Sequence, residues 1–199
     1  MKKIIITSLL FLFATALIAQ KDLMGITWNI NFPTNNDYLN KTSFAGGKIE
    51  YRHFLHEKNM SVGLALDWST YEQHIPRQTL EKPDGNGAVT SDFIAQVYQV
   101  PFTATFHYYF EERKRFQPYL GIALGAQYLE QDLYYNVYVN EENNWGFVAR
   151  PEFGFIAKTH SGWGLVLGAN YSYATNKTDL INSNSFKNWG VNIGIMFGQ

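Results

Sequence analysis

Past Gln20, large apolar side chains recur at every second position, and this two-residue period returns in eight separate segments. The first sets Met24, Ile26, Trp28, Ile30 and Phe32 against Gly25, Thr27, Asn29 and Asn31. The second sets Ile49, Tyr51, His53 and Leu55 against Lys48, Glu50, Arg52 and Phe54. The same alternation runs through Val62–Trp68, Val100–Tyr108, Leu120–Tyr128, Phe147–Phe155 and Trp163–Tyr173. It ends in WGVNIGIMFGQ (189–199), where Trp189, Val191, Ile193, Ile195 and Phe197 alternate with Gly190, Asn192, Gly194 and Met196. A period of two belongs to β-strands, whose successive side chains leave the backbone on opposite sides. Each strand then has one oily face, which must meet either a protein core or lipid.

The connections separate these options. Short polar turns at 56–59, 111–117 and 159–162 alternate strictly with longer connections at 33–43, 73–92, about 131–144, and 174–187. Eight dyad segments of roughly ten residues, joined by turns sorted in this way, predict an all-β chain. Its expected form is an eight-stranded antiparallel up-and-down transmembrane β-barrel with short periplasmic turns and four longer extracellular loops. An even strand count puts both ends of the barrel on the periplasmic side. A soluble eight-stranded barrel with its core inside is the competing fold, and the distribution of charge argues against it.

The apolar face carries no Asp, Glu, Lys or Arg, and its one imidazole is His53, near a turn. The other face carries Lys48, Glu50, Arg52, Asp67, Arg150 and Glu152, three cations and three anions, among many Gly, Ala, Ser, Thr and Asn. Small residues with a few balanced charges suit the crowded interior of an eight-stranded barrel, which side chains just fill. The uncharged face then meets lipid, where a charge at mid-depth costs about 2–4 kcal/mol. The chain as a whole has only 17% charged residues and 17% aromatic ones; soluble domains usually hold about 25% charged residues.

Aromatic side chains gather at strand ends. Trp68, Tyr128, Trp145, Tyr173 and Trp189 stand where strands meet long connections. Tyr108, Tyr109, Tyr119, Trp163 and Phe197 stand at the opposite ends. Two such bands are expected at the two membrane–water interfaces. Pro101 and Pro151 fall inside strands and cannot donate to a ladder, so a bulge or local break is expected at each.

The first residues, MKKIIITSLLFLFATALIAQ, join a basic start to a short apolar run with a small residue before Gln20. They read as a secretory signal peptide over residues 1–19, leaving 20–199 as the barrel domain. The absence of cysteine excludes disulfides, thiolate metal sites and a cysteine nucleophile. A formal net charge of −1 gives no electrostatic case for nucleic acid.

VYQVPFTATFHYYF, then RFQPYLGIALGAQY, and the terminal GVNIGIMFGQ resemble the eight-stranded outer-membrane β-barrel domain family, the OmpA-, OmpX- and OmpW-like porin-family proteins. The resemblance spans the mature chain. It implies residence in the outer membrane, contact with its lipid and lipopolysaccharide, and recognition of the last strand by the outer-membrane assembly machinery. That recognition signal usually ends on an aromatic residue, whereas here Gly198 and Gln199 follow Phe197.

No cofactor or metal site is expected. His53 and His107 fall on opposite faces, His56 and His160 in different turns, and His74 in a long connection. The six inward charges read as a salt-bridged plug, with a narrow conduit for small or apolar solutes as the alternative. A lipid-modifying enzyme would need serine, histidine and carboxylate together, and Ser69, His74, Ser91 and Asp92 are the candidates without a motif to join them. EKPDGNG (81–87) reads as a loop tip, and 131–144 keeps alternating and could extend as a hairpin with Tyr134, Tyr135 and Tyr138. The sequons at Asn40 and Asn176 read as chance matches. The expected role is structural or is carried by the outer loops, through an extracellular ligand, with no enzymatic activity.

Overall fold

The computed structural model describes residues 22–34, 39–55, 59–81, 87–111, 115–135, 138–159, 162–177 and 184–198. The leader, most of EKPDGNG, His56 and His160 lie outside these residues. Among the described residues the regular elements are eight strands: β1 (Asp22–Thr34), β2 (Ser43–Phe54), β3 (Met60–Glu81), β4 (Ala88–Tyr109), β5 (Phe116–Tyr135), β6 (Tyr138–Lys158), β7 (Trp163–Ala174) and β8 (Phe186–Gly198). Each pairs antiparallel with its neighbours in sequence, and β1 closes on β8 from Leu23↔Gly198 to Thr34↔Lys187. Closure leaves no open edge around the ring, which is the condition for a sheet to cross hydrocarbon.

The two-residue period places the side chains as the sequence implies. Ile26, Trp28, Leu64, Phe102, Leu124, Ile193 and Phe153 (57% exposed) point outward, while Thr27, Asn29, Lys48, Thr103 and Asn192 are buried inside. An exterior of this composition would expose a continuous apolar patch to water; in a bilayer it meets its own kind.

The lumen is packed in layers. At the end that holds both barrel termini, Leu23, Phe54, Tyr109, Tyr119, Ile156, Val166 and Met196 form an apolar plug. Charged side chains follow, then a layer of amides and hydroxyls. A second plug of Leu39, Tyr71, Val97, Leu129, Val148, Ala174 and Phe186 seals the other end.

Two expectations need correction and a third holds. The stretch 73–92 is mostly strand, not loop: β3 and β4 stay paired through His74↔Ile94 to Glu81↔Ala88, with a register shift between Ile75 and Gln78. Tyr109 and Tyr119 belong to no interfacial band; both point into the lumen, 0% and 2% exposed. At the prolines the expected local break is present, without a bulge. The β3–β4 ladder lapses between Leu66↔Phe102 and Ser69↔Gln99, and the β6–β7 ladder between Ala149↔Tyr173 and Glu152↔Asn170, with register kept across both gaps. The other neighbour of each proline stays in step, as Pro101↔Gln127 and Ile122↔Pro151. Each proline sits where one ladder is interrupted and the other holds it in place.

Candidate functional site

Strands β2 and β3 on one side of the ring and β6 across the lumen bring the inward charges together. Lys48, Glu50 and Arg52 alternate along β2, so all three side chains enter the lumen. Glu152 enters from β6 at the same depth. The Lys48 ammonium lies 3.2 Å from Glu50 Oε2 and 3.6 Å from Glu152 Oε2. Arg52 Nη2 lies 2.9 Å from Glu50 Oε1 and 3.5 Å from Glu152 Oε1. Arg52 also donates to the Tyr109 hydroxyl at 3.0 Å and stands 4.6 Å over the Tyr119 ring. Asp67 and Arg150 form a separate pair with two parallel 2.8 Å contacts, Nη1 to Oδ1 and Nη2 to Oδ2. Asn29 donates a further 3.2 Å bond to Asp67 Oδ1. Two-pronged contact of this kind fixes both planes and is the strongest arrangement for a guanidinium and a carboxylate.

One member of the cluster was not legible as such. His107 Nε2 sits 2.6 Å from Glu152 Oε1, and its other ring nitrogen lies 3.4 Å from Ser61 Oγ. Sequence alone weighs His107 only as a metal ligand. Its partner emerges from the β4–β5–β6 register, in which His107↔Gly121 and Gly121↔Glu152 align. Ligand atoms of Glu50, His107 and Glu152 lie within 4.8 Å of one another. Both carboxylates already face Lys48 and Arg52, so this donor set is matched to two resident cations rather than to a metal ion.

The layer above is neutral and polar. Asn188 donates to the Tyr71 hydroxyl and to Gln99 Oε1, both at 3.1 Å. Asn31 donates to Ser69 Oγ at 2.7 Å and Asn170 to Asn192 Oδ1 at 3.1 Å. This layer lies between the two apolar clusters at the ends of the lumen.

The remaining candidates spread out. Trp68, Trp145 (69% exposed), Tyr173 and Trp189 face outward near the loop end, and Tyr128 packs against Trp145 at 5.5 Å. Tyr108, Trp163 and Phe197 face outward at the other end, where Trp163 and Phe197 are cross-strand partners. His74 and Asp92 stand outside, 3.9 Å apart, whereas Ser69 lies inside the lumen on Asn31 and Ser91 pairs in register with Gln78. These four do not converge on one point. Asn176 of the second sequon is fully buried, bonded to Asn144 and Gln127, and offers no side chain for modification in the folded chain.

Above the outer band, β3 to β6 continue as a standing sheet. β2 leaves β3 at Ala45↔Thr70, and β7 joins β6 only from Val148↔Ala174. Beyond those points β3–β4, β4–β5 and β5–β6 stay paired to Glu81↔Ala88, Ile94↔Tyr134 and Tyr135↔Tyr138. Ile75, Phe93 and Ala95, with Leu133 and Tyr135 against them, form a small core of its own. At about 3.3 Å of rise per residue, the run from Trp68 to Glu81 covers roughly 40 Å.

Fold and lipid-facing surface together define the class: an integral β-barrel protein of the outer-membrane type. Comparison with solved structures bears on the fold. Neisserial surface protein A superposes with a TM-score of 0.55 at 13% identity, over 89% of this chain and 96% of that one. OprG from Pseudomonas aeruginosa gives 0.48 at 16% identity, over 89% and 95%. Ail, the attachment invasion locus protein of Yersinia pestis, in complex with the heparin analogue sucrose octasulfate, gives 0.46 at 16%, over 89% and 97%. At these identities the likeness speaks to fold alone. The sequence matches no protein-family model and no curated protein.

Proposed function

We propose that the protein is an outer-membrane barrel whose task is carried by the sheet it holds above the membrane. The closed barrel serves as the anchor. The observation behind this reading is that β3 to β6 run on as strands from the lipid-facing wall into a standing sheet, over a lumen with an apolar cluster at each end. The sheet offers partners outside the cell a broad surface with exposed Tyr134, Tyr138 and Val139 near its rim. Tyrosine suits such contact because its ring is apolar and its hydroxyl is not. The role is non-enzymatic: the serine, histidine and carboxylate candidates stand on opposite faces. The wall is solvated by outer-membrane lipid and lipopolysaccharide, and β8, which closes the ring, is the segment presented to the assembly machinery.

Two measurements test this. Trypsin added to intact cells is expected to cut at the exposed Arg77 in the standing sheet; cutting only after the outer membrane is opened would reverse the orientation. In planar bilayers the purified barrel is expected to give no unitary conductance. Regular current steps, abolished by blocking the lumen, would make it a narrow channel instead.

A further inference from the structure

The lipid-facing wall is not uniform. Large outward side chains alternate in height with small ones such as Ala104, Ala126 and Ala149. Toward the end that holds the barrel termini, two short ones, Pro118 on β5 and Ala169 on β7, stand on either side of the β6 phenylalanines. Ala169 lies in register between Phe153 and Val191, and one level nearer the barrel termini Phe155 separates Pro118 from Leu167. The result is a groove of about 460 Å³ in the outer surface, floored by these two residues and walled by Phe110, Phe116, Phe153 and Phe155. The Phe116 and Phe155 rings stack at 4.6 Å, and Phe110 is braced edge-on by Tyr108 at 5.4 Å. Three of the four wall rings thus each pack against a second aromatic ring. The main chain beneath is fixed, because the Phe110 amide donates to the Pro118 carbonyl at 3.0 Å.

We infer that this groove seats one acyl chain of a phospholipid from the periplasmic leaflet. The occupant follows from position and chemistry. The groove is continuous with the apolar band, so hydrocarbon reaches it, and its lining offers an occupant almost nothing polar to bond. It lies toward the end of the barrel that carries both termini and the short turns, which assigns it to the periplasmic leaflet and its phospholipids rather than to lipopolysaccharide. A groove that hydrocarbon fills gains contact that a flat wall does not, since a void forfeits dispersion on its open side. The inference rests on the lipid-embedded reading given above.

The test uses the full mature barrel in nanodiscs containing a phosphatidylethanolamine with a diazirine in one acyl chain. After irradiation, adducts are expected to concentrate on peptides covering 116–120 and 153–169. Native mass spectrometry in mild detergent is expected to show one retained phospholipid, lost in Ala169→Phe and kept in Ala104→Phe, the same change on a different part of the wall. Each variant is first required to show the unboiled-gel shift of a closed barrel. If Ala169→Phe does not close, the labelling pattern of the unsubstituted protein decides alone. Adducts spread evenly around the ring, equal lipid loss in both variants, or cross-linking of two protein copies through the groove would each overturn the inference. Even labelling would still leave the barrel in the membrane, so the two readings fail separately.

Discussion

His107 Nε2 and Glu152 Oε1 meet at 2.6 Å across a strand position that has no side chain. Gly121 lies between them in the β4–β5–β6 register, and the contact passes over its backbone. Glu152 also faces Lys48 and Arg52. Removing its carboxylate in Glu152→Ala leaves two buried cations with one fewer anion, which is expected to cost about 3–5 kcal/mol. Glu152→Gln keeps a hydrogen-bonding oxygen and should cost less. Urea unfolding of the barrel in bilayers, followed by tryptophan fluorescence, measures both; equal stability of Glu152→Ala and the parent would refute the pairing.

A side chain at Gly121 would collide with that contact. A Cβ there lies 2.5 Å from His107 Cδ2 and 3.0 Å from Glu152 Cγ. Gly121→Ala is expected to destabilise by about 1–3 kcal/mol, the usual range for overpacking. In the double variant Gly121→Ala, His107→Ala, the clash has no ring to meet. The two effects should then fail to add in a double-mutant cycle, and simple additivity would show that His107 yields elsewhere.

Asp67 and Arg150 test the second cluster independently. Asp67→Leu orphans a buried guanidinium and should cost about 3–5 kcal/mol, whereas Asp67→Leu with Arg150→Met removes both charges and should recover most of the loss. The midpoint of unfolding for the three proteins gives the answer. A double variant no better than the single would mean that the pair contributes through geometry, as a fixed point for the β3–β6 approach.

The height of the lipid-facing band can be mapped with arginine. Leu124→Arg, on the outer face among Ala104 and Ala149, is expected to cost about 2–4 kcal/mol, the midplane value. Ile94→Arg sits on the same face of the sheet, above the Tyr128 and Trp145 ring pair, and should cost less than about 1 kcal/mol, as near an interface. Equal penalties at both sites would mean that the band extends over the standing sheet.

Most of the barrel was legible because one period governs both faces as long as each strand crosses lipid. The outward series Val62, Leu64, Leu66 and the inward set Lys48, Glu50, Arg52 follow from parity alone. Parity lost its force above the outer aromatic band. Glu72, Gln73 and His74 alternate nothing apolar, so β3 and β4 read as loop there, although their ladder continues through Gln73↔Ala95. Tyr109 and Tyr119 were misread because a tyrosine at a strand end suits an interface as well as a lumen, and only their inward parity, shared with His107 and Gln117, distinguishes the two. The His107–Glu152 contact depends on inter-strand register, which no single strand's sequence reveals. The lumen charges were visible as a set, but their division into a five-residue cluster and an Asp67–Arg150 pair required the closed ring.

The unbroken strands from β3 to β6 have a mechanical consequence. A pull on the tips of the standing sheet runs along the strand axes into the barrel wall. It strains many ladder hydrogen bonds at once, in shear, instead of peeling them one after another. The long Leu120↔Phe153 to Tyr135↔Tyr138 ladder of β5 and β6 carries the load past the outer band and down to the charged layer. A cell tethered by this sheet would be held by the whole height of the wall, and the tether would be expected to give way at the partner before the anchor is drawn from the membrane.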